Sequence, residues 1–252
     1  MRLFDTHAHF TDDSDIAGLY SRAAEAGVVR VLAVGGSDEL NRNALRTPGS
    51  VALGWDRDQL TAGDAEFATL DTLIASAGPR VAAIGEIGLD FHYSPETAAR
   101  QKALFARELA FADEKDLPVI IHTREADDAT LEVLDAVPWD RHGKLRGVIH
   151  SYTGGPDFAA KLLDRGFMIS FSGIVTFRSA DLVRSSARFV PADRILVETD
   201  SPFLAPVPLR GRPCEPAFTV HTAKCIAKER DVDFDSFAEQ TYLNAESLFG
   251  KA

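Results

Sequence analysis

The chain has 252 residues, with 27 Lys+Arg against 38 Asp+Glu and a formal net charge of −11. That excess of acid argues against a surface built to hold long nucleic acid by neutralising phosphates; it leaves open a phosphate substrate at a bound cation, whose charge inverts the local balance. A hydrophobic fraction of 45% allows one large core, and there is no apolar run long enough to span a membrane.

In chain order, short apolar strands alternate with helical patterns. The first strand is expected over 3–6, followed by a helix over 16–26 that stops at Gly27. A β-branched strand over 28–34 ends at Gly35-Gly36; a short helix at 38–46 and a strand at 51–54 follow. Residues 66–76 read as helix, stopped by Gly78-Pro79, and 81–84 as strand, leading into Gly85-Glu86-Ile87-Gly88-Leu89-Asp90. Pro95 opens the longest helix, to Lys115, since proline suits a first turn. Strands at 117–121, 146–149, 167–171 and 195–197 alternate with helices at 126–137, 156–165 and 181–189, and helices at 218–228 and 235–249 complete the chain.

This makes eight strand–helix units in one domain, 1–252. Near-continuous apolar strands are buried on both faces, as in an all-parallel sheet covered by helices. Length and unit count favour a closed (β/α)8 TIM barrel, an α/β fold, over an open doubly wound sheet. No Gly-x-Gly-x-x-Gly follows the first strand, which weakens a dinucleotide-binding reading. In such a barrel the site lies at the C-terminal ends of the strands. His7, His9, Glu86, His122, His150 and Asp200 all fall at or just past such ends.

Each signal has a plain structural reading when taken alone. His7 and His9 could be two solvated histidines near a terminus, and His122 and His150 satisfied core residues closing apolar strands. Glu86, between Gly85 and Gly88 and among Ile84, Ile87 and Leu89, reads as an inward carboxylate rather than a surface charge. Alternation puts Asp5, His7 and His9 on one face of the first strand, and Glu198 and Asp200 on one face of the last. Of the other histidines, His142 lies in a polar loop and His221 on a helix, both expected in solvent, while His92 could face the mouth. Together, four imidazoles and two carboxylates suit Zn, Mn, Fe, Ni or Mg. They exceed what one catalytic zinc needs and suffice for two divalent ions about 3.5–4 Å apart with a bridging carboxylate.

The sequence resembles the TatD-like family of metal-dependent hydrolases, within the amidohydrolase-type barrels. The matching pieces are Asp5-Thr6-His7-Ala8-His9, the run from Gly85 to Asp90, Pro118-Val119-Ile120-Ile121-His122-Thr123-Arg124, His150-Ser151-Tyr152-Thr153-Gly154 and Glu198-Thr199-Asp200-Ser201-Pro202-Phe203-Leu204. Arg210-Gly211, Glu215-Pro216 and Asn244 before Leu248-Phe249 also resemble it. The resemblance implies one ion on His7, His9 and Asp200, a second on His122 and His150, and Glu86 between them. It also implies phosphodiester hydrolysis of the deoxyribonuclease type. Amide, ester or lactone hydrolysis on the same metals, or metal binding without turnover, are the alternatives.

The chain departs from the family pattern after the third strand. There Gly54-Trp55-Asp56-Arg57 stands where Gly-x-His-Pro is common, putting an aspartate in place of a substrate-side histidine. Asp200 is the expected general base, with Glu198 and Asp5 orienting the imidazoles. Asp56, Arg124, Tyr152 and Arg178 are expected to face substrate, Gly154-Gly155 to offer backbone donors to an anion, and Trp55 or Tyr93 to stack a base. Cys214 and Cys225 are expected to be inert; they form no disulfide framework or metal pair, so with no signal-peptide pattern a reducing cytoplasm is expected. The expected partner is a small anionic substrate or a nucleic-acid end, without a membrane or a stable protein partner.

Overall fold

The computed structural model describes residues 1–138 and 146–250, so His142 lies outside the described residues. Eight strands pair in parallel and in sequence order: β1 (Leu3–Ala8), β2 (Val28–Gly36), β3 (Val51–Trp55), β4 (Val81–Asp90), β5 (Val119–Arg124), β6 (Gly147–Ile149), β7 (Met168–Phe171) and β8 (Ile195–Val197). The two ends of the sheet meet where Ala8 bridges Ser201 in parallel and the Thr6 hydroxyl donates to the Val197 carbonyl at 3.1 Å. This is the (β/α)8 barrel expected from the alternating pattern, since right-handed crossovers lay each new strand beside the last.

The helices are α1 (Ile16–Glu25), α2 (Asp38–Leu45), α3 (Asp64–Ala77), α4 (Ala98–Lys115), α5 (Asp127–Ala136), α6 (Pro156–Asp164), α7 (Asp181–Phe189), α8 (Thr219–Glu229) and α9 (Phe234–Phe249). Local chemistry starts several of them: Asp15, Ser37 and Asp233 accept the N–H of Gly18, Leu40 and Ser236 at the first turns of α1, α2 and α9. Among the described residues, no helix is long and apolar enough to cross a membrane.

Apolar side chains fill both faces of the sheet. Inside the barrel Phe4, Leu32, Val34, Ala52, Ala82, Ile120, Val148, Met168 and Leu196 form one cluster. Tyr242 and Phe249 of α9 close it where the strands begin, with ring centroids 6.4 and 6.2 Å from Phe4. Outside, Val31, Leu53, Ile121 and Ile169 pack with Leu70, Phe105, Leu109, Leu162 and Ile226 of the helices. Each such buried side chain contributes roughly 1.5–3 kcal/mol, and this double burial is why the strands carry so few polar residues.

Of the departures from regular pairing at the mouth, two carry cluster residues. From Asp5 to Ala8, β1 takes three steps against two on β2 (Val31 to Ala33). From Ile84 to Ile87, β4 takes three against two on β5 (Val119 to Ile121). Each is a one-residue bulge, which bends a strand and re-aims a side chain. His7 lies in the first and Glu86 in the second. Gly88 follows at φ +126, and a Cβ there would lie 2.1 Å from the His122 carbonyl oxygen, so only glycine fits.

Five strands run further towards the mouth than expected, β3 by one residue to Trp55. β1 reaches Ala8, β2 Gly36, β4 Asp90 and β5 Arg124. Glu86 is therefore inside a strand, not beyond one. Gly85 and Gly88 look like stop signals in isolation, but β5 pairs past them, matching Gly88 to His122 and Asp90 to Arg124. Pro95 opens a short 3-10 turn (Pro95–Thr97) that feeds α4.

Candidate metal centre

The six residues singled out in the sequence converge on one mouth. His7 comes from β1, His9 from just after it, Glu86 from β4, His122 from β5, and His150 and Asp200 from the ends of β6 and β8. Their donor atoms form two groups around Glu86, and Asp200 also groups with His7 and His150. In the first, the Nε2 atoms of His7 and His9 are 3.0 Å apart and lie 3.4 and 3.3 Å from Glu86 Oε2. Asp200 Oδ1 is 3.9 and 3.8 Å from the same two nitrogens. In the second, His122 Nδ1 and His150 Nε2 are 3.2 Å apart and lie 3.4 and 3.5 Å from Glu86 Oε1.

These spacings test whether a cation fits. Ligand bonds of about 2.0–2.1 Å in a tetrahedral shell put neighbouring donors about 3.3 Å apart. In both groups Glu86 and its two imidazoles meet that spacing, with Asp200 about half an ångström wider, and imidazole nitrogen with carboxylate oxygen is the donor chemistry of a borderline or hard divalent metal. The residues present therefore fit divalent metal binding.

The remaining ring nitrogens set the tautomers. His9 Nδ1 donates to the Val34 carbonyl at 2.9 Å, and His150 Nδ1 to Glu198 Oε1 at 3.3 Å. Each leaves an Nε2 lone pair for the cluster. His122 is turned the other way: its Nε2 is 3.1 Å from Asp90 Oδ2, freeing Nδ1. His7 Nδ1 is buried and has no hydrogen-bond partner. Glu198 thus orients an imidazole as expected. Asp5 does not; it accepts from the Thr199 N–H (2.8 Å) and hydroxyl (2.6 Å) and so braces the segment carrying Asp200. The β1 bulge is the reason, because it breaks the alternation that would align Asp5 with His7.

Burial and close charges shift the titration of this cluster. Burial raises the Asp200 carboxyl to about 7 against the pull of His150 and His9. Burial also lowers His7 to about 4, aided by the neighbouring His150. For Glu86 burial acts upward, but His150, His7 and His9 outweigh it and hold its carboxyl well below the usual range. Asp200 has φ +58, in the left-handed region unusual for a non-glycine residue. Its N–H is held by the His7 carbonyl at 2.9 Å.

The expected substrate side chains are less uniformly placed. Asp56 Oδ1 accepts the Asp58 N–H at 2.9 Å, so its carboxylate holds the turn after β3; burial, then Glu86, raises it to about 6. Tyr152 is buried, with its hydroxyl donating to the Gly155 carbonyl at 2.7 Å, and does not face the cluster. Trp55 is also buried, which corrects the expectation of an exposed stacking ring. Tyr93 is exposed, and the Arg124 guanidinium lies over its ring at 4.8 Å. Arg178 is exposed on the segment between β7 and α7. His92 pairs with Glu125 at 2.7 Å, and His221 is partly buried against Phe218.

Three partners were not singled out beforehand. Asp90 could have been, as it closes the same glycine-rich run as Glu86. The Val34 carbonyl could not, because a backbone acceptor leaves no mark in sequence. Arg57 reaches Glu86 Oε1 at 3.3 Å, and only the folded turn reveals that reach.

A histidine and carboxylate cluster at the C-terminal mouth of a parallel (β/α)8 barrel is the layout of the metal-dependent hydrolase class. Within that class the chain belongs to the TatD family: residues 4–250 match the family described as TatD related DNase. It is 46% identical over 169 residues to the uncharacterized metal-dependent hydrolase YcfH of Escherichia coli K12, an alignment spanning 67% of this chain and 63% of that protein. It is 35% identical over 262 residues to the 3'-5' ssDNA/RNA exonuclease TatD of Erwinia amylovora, covering 97% of this chain and 96% of the relative. The crystal structure of YJJV, a TatD homologue from E. coli K12, superposes with a TM-score of 0.89 at 28% identity, covering 100% of this chain and 99% of that one.

Proposed function

We propose that this chain, as one domain, is a two-metal hydrolase that cleaves phosphodiesters at nucleic-acid ends or in small anionic substrates. One observation carries the reading: Glu86 presents Oε2 to His7 and His9 and Oε1 to His122 and His150, all at 3.3–3.5 Å. His7, His9 and Asp200 would hold one divalent ion, His122 and His150 the other, and Glu86 both. When bound, such ions lower the pKa of a coordinated water and offset charge on the attacked phosphate.

The chain's own residues do the rest. Asp200 accepts the nucleophile's proton at a carboxylate oxygen and returns it to the leaving oxygen. Glu198, Asp90 and the Val34 carbonyl keep the imidazole lone pairs on the cluster. Arg124 and Arg178 offer charge to substrate oxygens at the rim. The excess of acid elsewhere favours an end or a small substrate over a long tract. The name of the Erwinia relative supports the same chemistry. Both cysteines are free, which supports a reducing cytoplasm.

The test is to strip the protein with chelator and reload it with Mg, Mn, Zn, Ni or Fe in turn. A short single-stranded oligonucleotide and bis(4-nitrophenyl) phosphate are then compared with 4-nitrophenyl acetate and an anilide. Two ions per chain and metal-dependent phosphodiester cleavage are expected. Activity indifferent to chelator, with no metal by elemental analysis, would reject the centre. Cleavage of the acetate or anilide alone would reject the substrate class.

A further inference from the structure

The two halves of the cluster are not electrostatically equal. The first donor group has two carboxylates, Asp200 and Glu86, beside two imidazoles. The second has two imidazoles and the shared Glu86; Asp200 groups with one of them, His150, together with His7, and Arg57 lies on the His122 side. Its Nη1 is 3.3 Å from Glu86 Oε1, the oxygen that also faces His122 and His150. Its Nε is 4.0 Å from Asp90 Oδ2, the oxygen that orients His122. Arg57 is carried by the turn that Asp56 caps, and the Asp56 N–H ties that turn to the Gly36 carbonyl at 2.7 Å. Its side chain is only 24% exposed, so screening by water is incomplete.

Resting on the two-metal reading above, we propose that Arg57 is a built-in cation that competes with the ion held by His122, His150 and Glu86. The chain then binds one ion tightly and the other weakly. A fixed guanidinium beside Glu86 Oε1 stabilises the metal-free carboxylates and repels a second positive charge at the same oxygen. Occupancy of the second position, and with it turnover, follows the free metal concentration. The first position, with Asp200 in addition to Glu86, fills independently of that concentration over the same range.

Arg57 is thus a positioning and tuning residue, and its test is a binding measurement. Metal-free wild type, Arg57→Gln and Arg57→Lys are titrated with manganese(II) by calorimetry. Wild type is expected to show two affinities at least tenfold apart. Arg57→Gln should tighten the weaker site by tenfold or more and leave the tighter one within about twofold. Arg57→Lys, which keeps the charge, should stay nearer wild type. The metal-free melting temperature of Arg57→Gln should fall while its gain on metal addition grows, because the same interaction is lost from one state only. Two sites of equal affinity in wild type, or a weaker site unmoved or weakened in Arg57→Gln, overturns the proposal while leaving the two-metal reading intact. No binding of manganese(II) by any of the three proteins overturns that reading and the proposal with it.

Discussion

Glu198 offers a sharp test of how the protein holds an imidazole in place. Its side chain is buried, and Oε1 accepts from His150 Nδ1 at 3.3 Å and from the Ser151 N–H at 2.7 Å. Burial raises its carboxyl, but the hydrogen bond and charge of His150 outweigh that and keep it below the usual range, so it is ionised. Glu198→Ala would strand one buried and one partly buried donor, at about 1–3 kcal/mol each when fully buried. A loss of up to roughly 6 kcal/mol is a large part of a domain stability of about 5–15 kcal/mol, so that variant tests folding. Glu198→Gln separates the effects. Its amide oxygen can still accept both N–H groups, and the Ser170 hydroxyl, which hydrogen-bonds Glu198, can donate or accept. Only the negative charge behind His150 is lost. Removing such support costs about 10- to 100-fold in metal affinity, equivalent to about 1.4–2.8 kcal/mol. Competition with a chromophoric chelator should show this loss at one of two sites, with the melting temperature of the metal-free protein lowered less than in Glu198→Ala. A Glu198→Gln protein that folds normally and binds both ions with wild-type affinity would refute the reasoning.

Asp200→Asn should keep the barrel but cut turnover on the order of 10²-fold or more, as for other general bases; initial rates measured alongside metal content check this, and wild-type turnover in a metal-loaded variant refutes the role. Glu108, buried on α4 with Oε2 unpartnered, is raised well above the usual carboxylate range by burial, with only the Trp55 N–H (2.7 Å) opposing. Its folded pKa exceeds its unfolded one, so the folded state binds more protons and stability falls as pH rises from the ordinary glutamate value towards the raised one. Glu108→Gln should therefore stabilise the protein at pH 8 and much less at pH 4, as read by denaturant midpoints at both; an equal effect at the two pH values would show that Glu108 is ionised in the fold.

The sequence alone was enough for the eight-unit barrel and for the six polar residues at its mouth. Periodicity, helix stops and the placing of polar groups at strand ends are local properties, and a (β/α)8 barrel uses them in order, one unit after another. The same locality explains what it could not decide. Alternation along β1 aligned Asp5 with His7, but a one-residue bulge, visible only against β2, gave Asp5 to Thr199. The glycines at 85 and 88 set the local end of the apolar run at Ile84, whereas pairing with β5 carries β4 on to Asp90. Asp56 closes the turn after β3 through the Asp58 N–H, and its neighbour Arg57 reaches Glu86 in the cluster, a reach that chain order does not show. In each case the outcome rests on the distance between groups far apart in the chain. Register, bulge position and the reach of a long side chain are settled only when strands pair, because the competing local choices differ by little energy until neighbouring strands supply the other half of each contact.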